Sequence, residues 1–177
     1  SQQMFGGRAG GVGVGALGKG ETAVTIGTSG AVRSFADRPS TDPDGRTFCY
    51  AFEQDRWLVG GPTNNGGIAL RWYLEKFVID EEEGESGDLK EKQALDRIVK
   101  LADSVPPGSE GLLFLPYLSG ERAPYWNADV RGAYFGATLH HGRAHFGRAT
   151  MEGVLFAVRT VYDALTELGG ERRTLLA

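Results

Sequence analysis

The chain has 177 residues, 41% of them hydrophobic and 24% charged, which suits one domain large enough to bury a core. A formal net charge of −4 with no Lys/Arg cluster excludes the electrostatic footprint of a nucleic-acid partner, and no apolar run has the length of a membrane span. The single cysteine, Cys49, excludes an internal disulfide, and an amino end that is glycine-rich rather than charged and then apolar points to a cytoplasmic protein.

Residues 1–20 contain Gly13-Val-Gly15-Ala-Leu-Gly18, formally GxGxxG, overlapping a formal GxxxxGK from Gly13 to Lys19. Each motif needs a strand before it and a helix after it. No apolar run precedes them and a strand pattern follows, so neither is read as a nucleotide loop. Glu21 to Ala36 reads as strand, turn, strand, with Val24, Ile26, Val32 and Phe35 expected to face inward. The turn is Thr25-Ile-Gly27-Thr28-Ser29-Gly30. Small hydroxyl-bearing residues and glycines directly after a strand leave backbone N–H groups and a hydroxyl aimed at one spot, as a phosphate chain requires. A plain tight hairpin turn is the competing reading.

Arg38 to Arg46 is a turn cluster, and its Asp42 and Asp44 lack the remaining ligand spacing of a calcium loop. Strands are expected at Thr47–Glu53 and Arg56–Val59, with Cys49 a small buried residue. Gly60–Gly67 then opens a helix whose apolar positions are Ile68, Leu70, Trp72, Tyr73, Leu74 and Phe77. Its polar, glycine-rich start either caps the helix or cradles an anion at the positive end of the dipole. The acidic stretch Ile79–Asp88 reads as solvated surface, and a helix from Leu89 to about Val105 carries Leu95, Ile98, Val99 and Leu101 at helical spacing.

Leu112-Leu-Phe-Leu115 reads as a strand buried on both faces. It delivers an aromatic and charged loop, Pro116–Asn127, in which Glu121 and Arg122 are expected to pair and pin the loop. Gly132–Thr138 alternates like a strand, and Arg143–Leu168 is one amphipathic helix ending at Gly169-Gly170. His140, His141 and His145 precede or open that helix, and without further ordered ligands no metal site is expected. Arg172–Ala177 starts another strand, so a domain cut short is expected.

Gly132-x-Tyr134-x-Gly136, followed beyond residues 137–144 by His145-Phe146-x-x-Ala149-Thr150-Met151-Glu152, resembles the second signature of the FGGY carbohydrate kinases. Ala137 departs from it, standing where the family carries a larger aliphatic residue. The resemblance runs from about Val12 to Ala177. It is nearest to the gluconate kinases of that family, through Cys49–Phe52, Gly60–Gly67 and Gly120–Asn127, while xylulose kinases share Leu115–Arg122.

The resemblance implies an α/β, ribonuclease H-like domain of the actin/hexokinase ATPase type, incomplete here. Residues 12–177 then belong to the carboxy-terminal, nucleotide-binding domain, and residues 1–11 are a foreign or truncated lead-in. The implied ligands are ATP with Mg²⁺ and a sugar acid. The family's phosphate contacts fall on Gly27 and Thr28, with Ser29 adjacent, and its further nucleotide contacts on Gly67 and Arg71, where some members carry glutamine.

Phosphoryl transfer needs the γ-phosphate in line with a hydroxyl, its charge neutralised, and a carboxylate to take the proton. The family's catalytic Asp position falls near Gly6, and no acid stands before Glu21. No catalytic residue is therefore assigned in this chain. Most sugar contacts are expected from an amino-terminal domain outside it, and an adenine-binding Gly-Gly motif just after Ala177. The implied function is phosphorylation of D-gluconate to 6-phosphogluconate by a longer enzyme, the isolated chain being inactive. A xylulose kinase and a degenerate, non-catalytic module are the alternatives, and self-association is left open.

Overall fold

The computed structural model describes residues 21–53, 55–78, 87–169 and 174–176. The two glycine motifs, the Gly6 position and residues 79–86 of the acidic stretch lie outside them. The first two apolar runs pair as an antiparallel hairpin, β1 (Glu21–Ile26) and β2 (Gly30–Ala36), in register from Thr22 opposite Ser34 to Ile26 opposite Gly30. A second hairpin, β3 (Phe48–Glu53) and β4 (Arg56–Thr63), places β4 against β2. Helices α1 (Gly67–Phe77) and α2 (Gly87–Asp103) follow, then a short ribbon of β5 (Leu113–Leu115) and β6 (Ala133–Phe135). The long helix α3 (Arg143–Gly169) leads to β7 (Thr174–Leu176), which pairs parallel to β1.

The resulting five-stranded sheet has the order β3-β4-β2-β1-β7. Apart from the edge strand β3, it is an antiparallel meander with its first strand next to a parallel fourth, reached through the helices. This is a mixed α/β layer, as expected. The long helix lies across one face, burying Val158, Val161 and Leu165 against Val32, Val59 and Ala123. The helix comes close because the strand carries glycine at its crossing: a Cβ on Gly61 would stand 2.6 Å from Val161 and from Ala123. A second cluster joins α1, β5 and α3 through Ala69, Leu112, Phe114, Ala149 and Val154, and a third joins α1 to α2 through Tyr73, Leu74 and Ile98.

Several expectations shift in the structure. Strand β4 runs on through Gly60, Gly61 and Pro62 to Thr63, residues read from sequence as a helix-opening loop. Glycine is a poor strand former in isolation; here it admits neighbours that a side chain would displace. Ile26, expected inward, is 44% exposed at the hairpin tip, whereas Val32 and Phe35 are buried. Leu113 and Leu115 are exposed while Leu112 and Phe114 are buried, so β5 alternates rather than being covered twice: its ribbon has α3 on one face only. Cys49 is half-buried at the margin of the sheet core, its sulfur accepting the Ser40 N–H at 3.4 Å.

The Asp42 turn is explained without an ion. Its carboxylate is buried and accepts the Arg46 backbone N–H at 2.6 Å, with Nε and Nη2 of the same residue both at 2.9 Å. Those bonds hold the Asp42 carboxyl below its usual range. Arg46 reaches on to Glu167 at 2.7 Å, tying the turn to α3.

Candidate functional site

The β1–β2 turn is a three-residue hairpin connection, Gly27–Ser29, whose Gly27 N–H donates to the Ser29 carbonyl at 2.9 Å. Its carbonyls point at the start of α1. Gly67 donates to the Gly27 carbonyl at 2.6 Å, and Gly66 and Ile68 donate to the Thr28 carbonyl at 3.2 and 3.1 Å. The first N–H groups of a helix have no partner within it, and here the turn supplies them. Such an approach excludes a side chain: a Cβ on Gly66 would lie 2.7 Å from the Gly27 oxygen and the Ser29 carbonyl carbon. The helix start is thus capped by the turn. It is a tight hairpin, and it is held with Thr28 exposed beside α1.

Gly27, Thr28, Gly67 and Arg71 line one cavity of about 260 Å³, and Ser29 stands beside it without lining it. Arg71 lies one helical turn beyond Gly67. The remaining wall is Ile26, Ile68, Leu70, Leu74 and Leu95. Sequence reading missed this apolar wall, although α1 has more apolar positions than one buried stripe needs. Ile68 is 39% exposed while Ala69, Tyr73 and Leu74 are the buried ones. Chemically the cavity offers a hydroxyl and a guanidinium at one side and aliphatic surface at the other. Among the described residues no carboxylate or imidazole lines it.

Behind the helix start lies a buried polar network. Glu121 accepts the Asn64 and Arg122 backbone N–H groups on Oε1, at 2.5 and 2.8 Å, and the Asn65 amide on Oε2 at 3.3 Å. Arg122 donates to Asn64 Oδ1 at 2.7 Å and to the Thr63 carbonyl at 3.0 Å. The two side chains pin the loop, but through Asn64, Asn65 and Thr63 rather than through each other. Backbone N–H groups, that of Arg122 included, satisfy the carboxylate, and the Arg122 guanidinium is taken by Asn64 and Thr63.

The signature residues do other work. Tyr134 donates to the Thr150 hydroxyl at 2.6 Å, which itself donates to the Phe146 carbonyl at 2.7 Å. Glu152 accepts the Gly108 N–H and the Arg148 Nε. Gly136 holds a left-handed φ of +83° where a Cβ would meet the Gly111 oxygen at 2.5 Å. None of them lines the cavity; they fasten β6 and the preceding loop to α3.

The histidines gather around Glu110, with ligand atoms of Glu110, His140 and His141 within 4.8 Å of one another. His145 Nδ1 accepts the Gly142 N–H at 3.1 Å, a reciprocal cap at the helix start, and its Nε2 lies 3.2 Å from Glu110. His141 Nδ1 likewise accepts the Thr138 N–H at 3.0 Å. With Nδ1 an acceptor, each neutral ring carries its proton on Nε2; that of His145 faces Glu110, whereas His141 Nε2 is buried without a hydrogen-bond partner.

The family model of the FGGY carbohydrate kinases, C-terminal domain, matches residues 22–177. The chain belongs to that family. Gluconokinase of Bacillus subtilis (strain 168) is 53% identical over 156 residues, covering 88% of this chain and 30% of that protein. Among solved structures, gluconate kinase from Lactobacillus acidophilus superposes with a TM-score of 0.78 at 37% identity, covering 90% of this chain and 30% of its own. The ligand-bound xylulose kinase of the same organism gives 0.78 at 36%, with the same coverage. The FGGY domain described here therefore spans about 30% of the relatives it matches. Its fold is that of the actin/hexokinase-type sugar kinases, as the resemblance implied, and no described helix is long and apolar enough to cross a membrane.

Proposed function

We propose that this FGGY domain supplies part of the ATP phosphate site of a cytoplasmic kinase that transfers the γ-phosphate to D-gluconate, giving 6-phosphogluconate. The observation that carries the reading is the convergence of Thr28, Gly67 and Arg71 on one cavity at a turn clamped to the start of α1. Gluconate is favoured as substrate by the 53% identity to a gluconokinase. Residues 12–177 are proposed as a partial nucleotide-binding domain, residues 1–11 as a lead-in, and the sugar-binding domain as its partner across a closing cleft.

In this site the Thr28 hydroxyl donates to a phosphate oxygen, Gly27 lets the chain of phosphates approach the turn backbone, and Arg71 neutralises charge on the phosphates or holds a ribose oxygen. Gly67 keeps the floor of the cradle free of a side chain. The aliphatic wall from Ile26 to Leu95 excludes water from one side, which strengthens each of these contacts. A hydroxyl and a guanidinium beside aliphatic side chains suit a polyphosphate that carries a less polar group. Among the described residues the cavity lining has no carboxylate to hold Mg²⁺. The cation would ride on the nucleotide's own oxygens, where it neutralises charge during transfer. No described residue of the cavity lining can take the alcohol proton, and the isolated chain is expected to be inactive.

The test is to offer D-gluconate and D-xylulose to the full-length protein and follow ADP release. Gluconate-dependent release at the higher kcat/KM is the expected result, with none from the isolated chain. The similar match to a xylulose kinase structure supports the second reading, which faster turnover of xylulose would establish. ADP release with neither sugar above background would instead favour a non-catalytic, nucleotide-binding module.

A further inference from the structure

We propose that Glu121 is a positioning residue for the phosphate-binding turn, acting through Asn64 and Asn65 on the start of α1; this rests on the ATP-site reading above. Glu121 is only 2% exposed and Asn65 is fully buried. A buried carboxylate is costly unless its oxygens are satisfied, and both Glu121 oxygens are, by Asn64 N–H, Arg122 N–H and the Asn65 amide. Asn65 completes the bracket, donating to the Gly120 carbonyl at 2.8 Å and accepting the Ser119 N–H and hydroxyl at 3.3 and 3.1 Å.

The residues so fixed are those that immediately precede the clamp. Asn64 and Asn65 run directly into Gly66, Gly67 and Ile68, whose N–H groups hold the Gly27 and Thr28 carbonyls. The N-cap residue Gly66 has no side chain with which to cap the helix. Order at this terminus therefore comes from two sides: the turn in front and the Glu121 bracket behind. A negative group behind the first turn of a helix is also favoured by the dipole. Removing the carboxylate takes the acceptor from the Asn64 and Arg122 N–H groups and leaves the Asn65 amide with the Gly120 carbonyl alone. The β4–α1 connection can then shift, and the turn that leans on it shifts with it. An apolar residue could have filled the same space, so the carboxylate specifies a position rather than merely a contact.

The experiment uses the full-length protein with the sugar it phosphorylates. ATP KM, sugar KM and the thermal midpoint are measured for wild type, Thr28→Ala, Glu121→Gln, Glu121→Asp and Glu121→Ala. Glu121→Ala is expected to raise ATP KM about tenfold while sugar KM stays within about twofold. Glu121→Gln, whose amide oxygen can still accept from Asn64 and Arg122, is expected to recover most of that loss. Should the alanine variant fail to fold, Glu121→Asp, which withdraws the oxygens by one methylene, is expected to raise ATP KM about threefold. Equal rises in the two KM values, or a lowered midpoint with ATP KM unchanged, would overturn the proposal. A Thr28→Ala protein with unchanged ATP KM would instead overturn the ATP-site reading on which it rests.

Discussion

A Cβ at Gly66 would collide with the Gly27 oxygen, whereas a Cβ at Gly27 meets only the Ser29 oxygen, at 3.9 Å. The two glycines are thus required for different reasons. Gly66 is required by the fold, since the turn and helix start cannot touch with a side chain between them. Gly27 faces the cavity and leaves room for a ligand. Gly66→Ala is expected to lower stability by about 1–3 kcal/mol, as overpacking does, and to weaken nucleotide binding as well. Gly27→Ala is expected to leave the denaturant midpoint nearly unchanged and raise only ATP KM; equal losses of stability in both variants would contradict the assignment. At this scale Thr28 stood out as a candidate through the glycine- and hydroxyl-rich break after a strand, which a plain hairpin turn explains as well, whereas Gly67 and Arg71 entered only through the family resemblance. Ser29 was named only by adjacency. Glu121 and Asn65 were illegible as a pair because 55 residues separate the loops they join.

Among the elements, α1 and α3 are joined by Tyr73, whose buried hydroxyl donates to the Arg143 carbonyl at 2.7 Å. Burial pushes that phenol up to about 12 from an ordinary value of about 10. An acid whose folded value is raised keeps its full contribution below the unfolded value and loses it as pH rises through the folded one. Stability is therefore expected to fall between about pH 10 and pH 12. Tyr73→Phe is expected to cost about 0.5–1.5 kcal/mol at neutral pH, one hydrogen bond's worth, and to flatten that alkaline decline. Urea titrations of both proteins across this range check it, and an undiminished decline in the variant would assign the effect to other tyrosines. Helical periodicity revealed α3 from Arg143 almost to its end, because one face of 27 residues is an unambiguous signal. It overestimated burial on α1 and α2, where Phe77, Leu95 and Val99 are exposed. Periodicity identifies a face but not how much of it a neighbour covers. The FGGY signature identified the family through packing residues, and its specificity says little about the cavity.

At the scale of the whole molecule, the sheet order β3-β4-β2-β1-β7 sets the turn between the first two strands beside the start of α1. That placement follows from topology, which no local pattern encodes, and it is why the turn alone could be read two ways. The FGGY domain, which spans about 30% of its relatives, brings Thr28, Gly67 and Arg71 to one cavity whose described lining has no carboxylate or imidazole. The proposed reading therefore places the catalytic base outside this lining. The most direct test is the ATP KM of gluconate-dependent ADP formation by the full-length protein, wild type against Thr28→Ala. Loss of one hydrogen bond to a charged phosphate is expected to raise it about tenfold or more, with gluconate KM within about twofold. An unchanged ATP KM, or a rise in gluconate KM alone, would contradict the placement of the phosphate site at this turn.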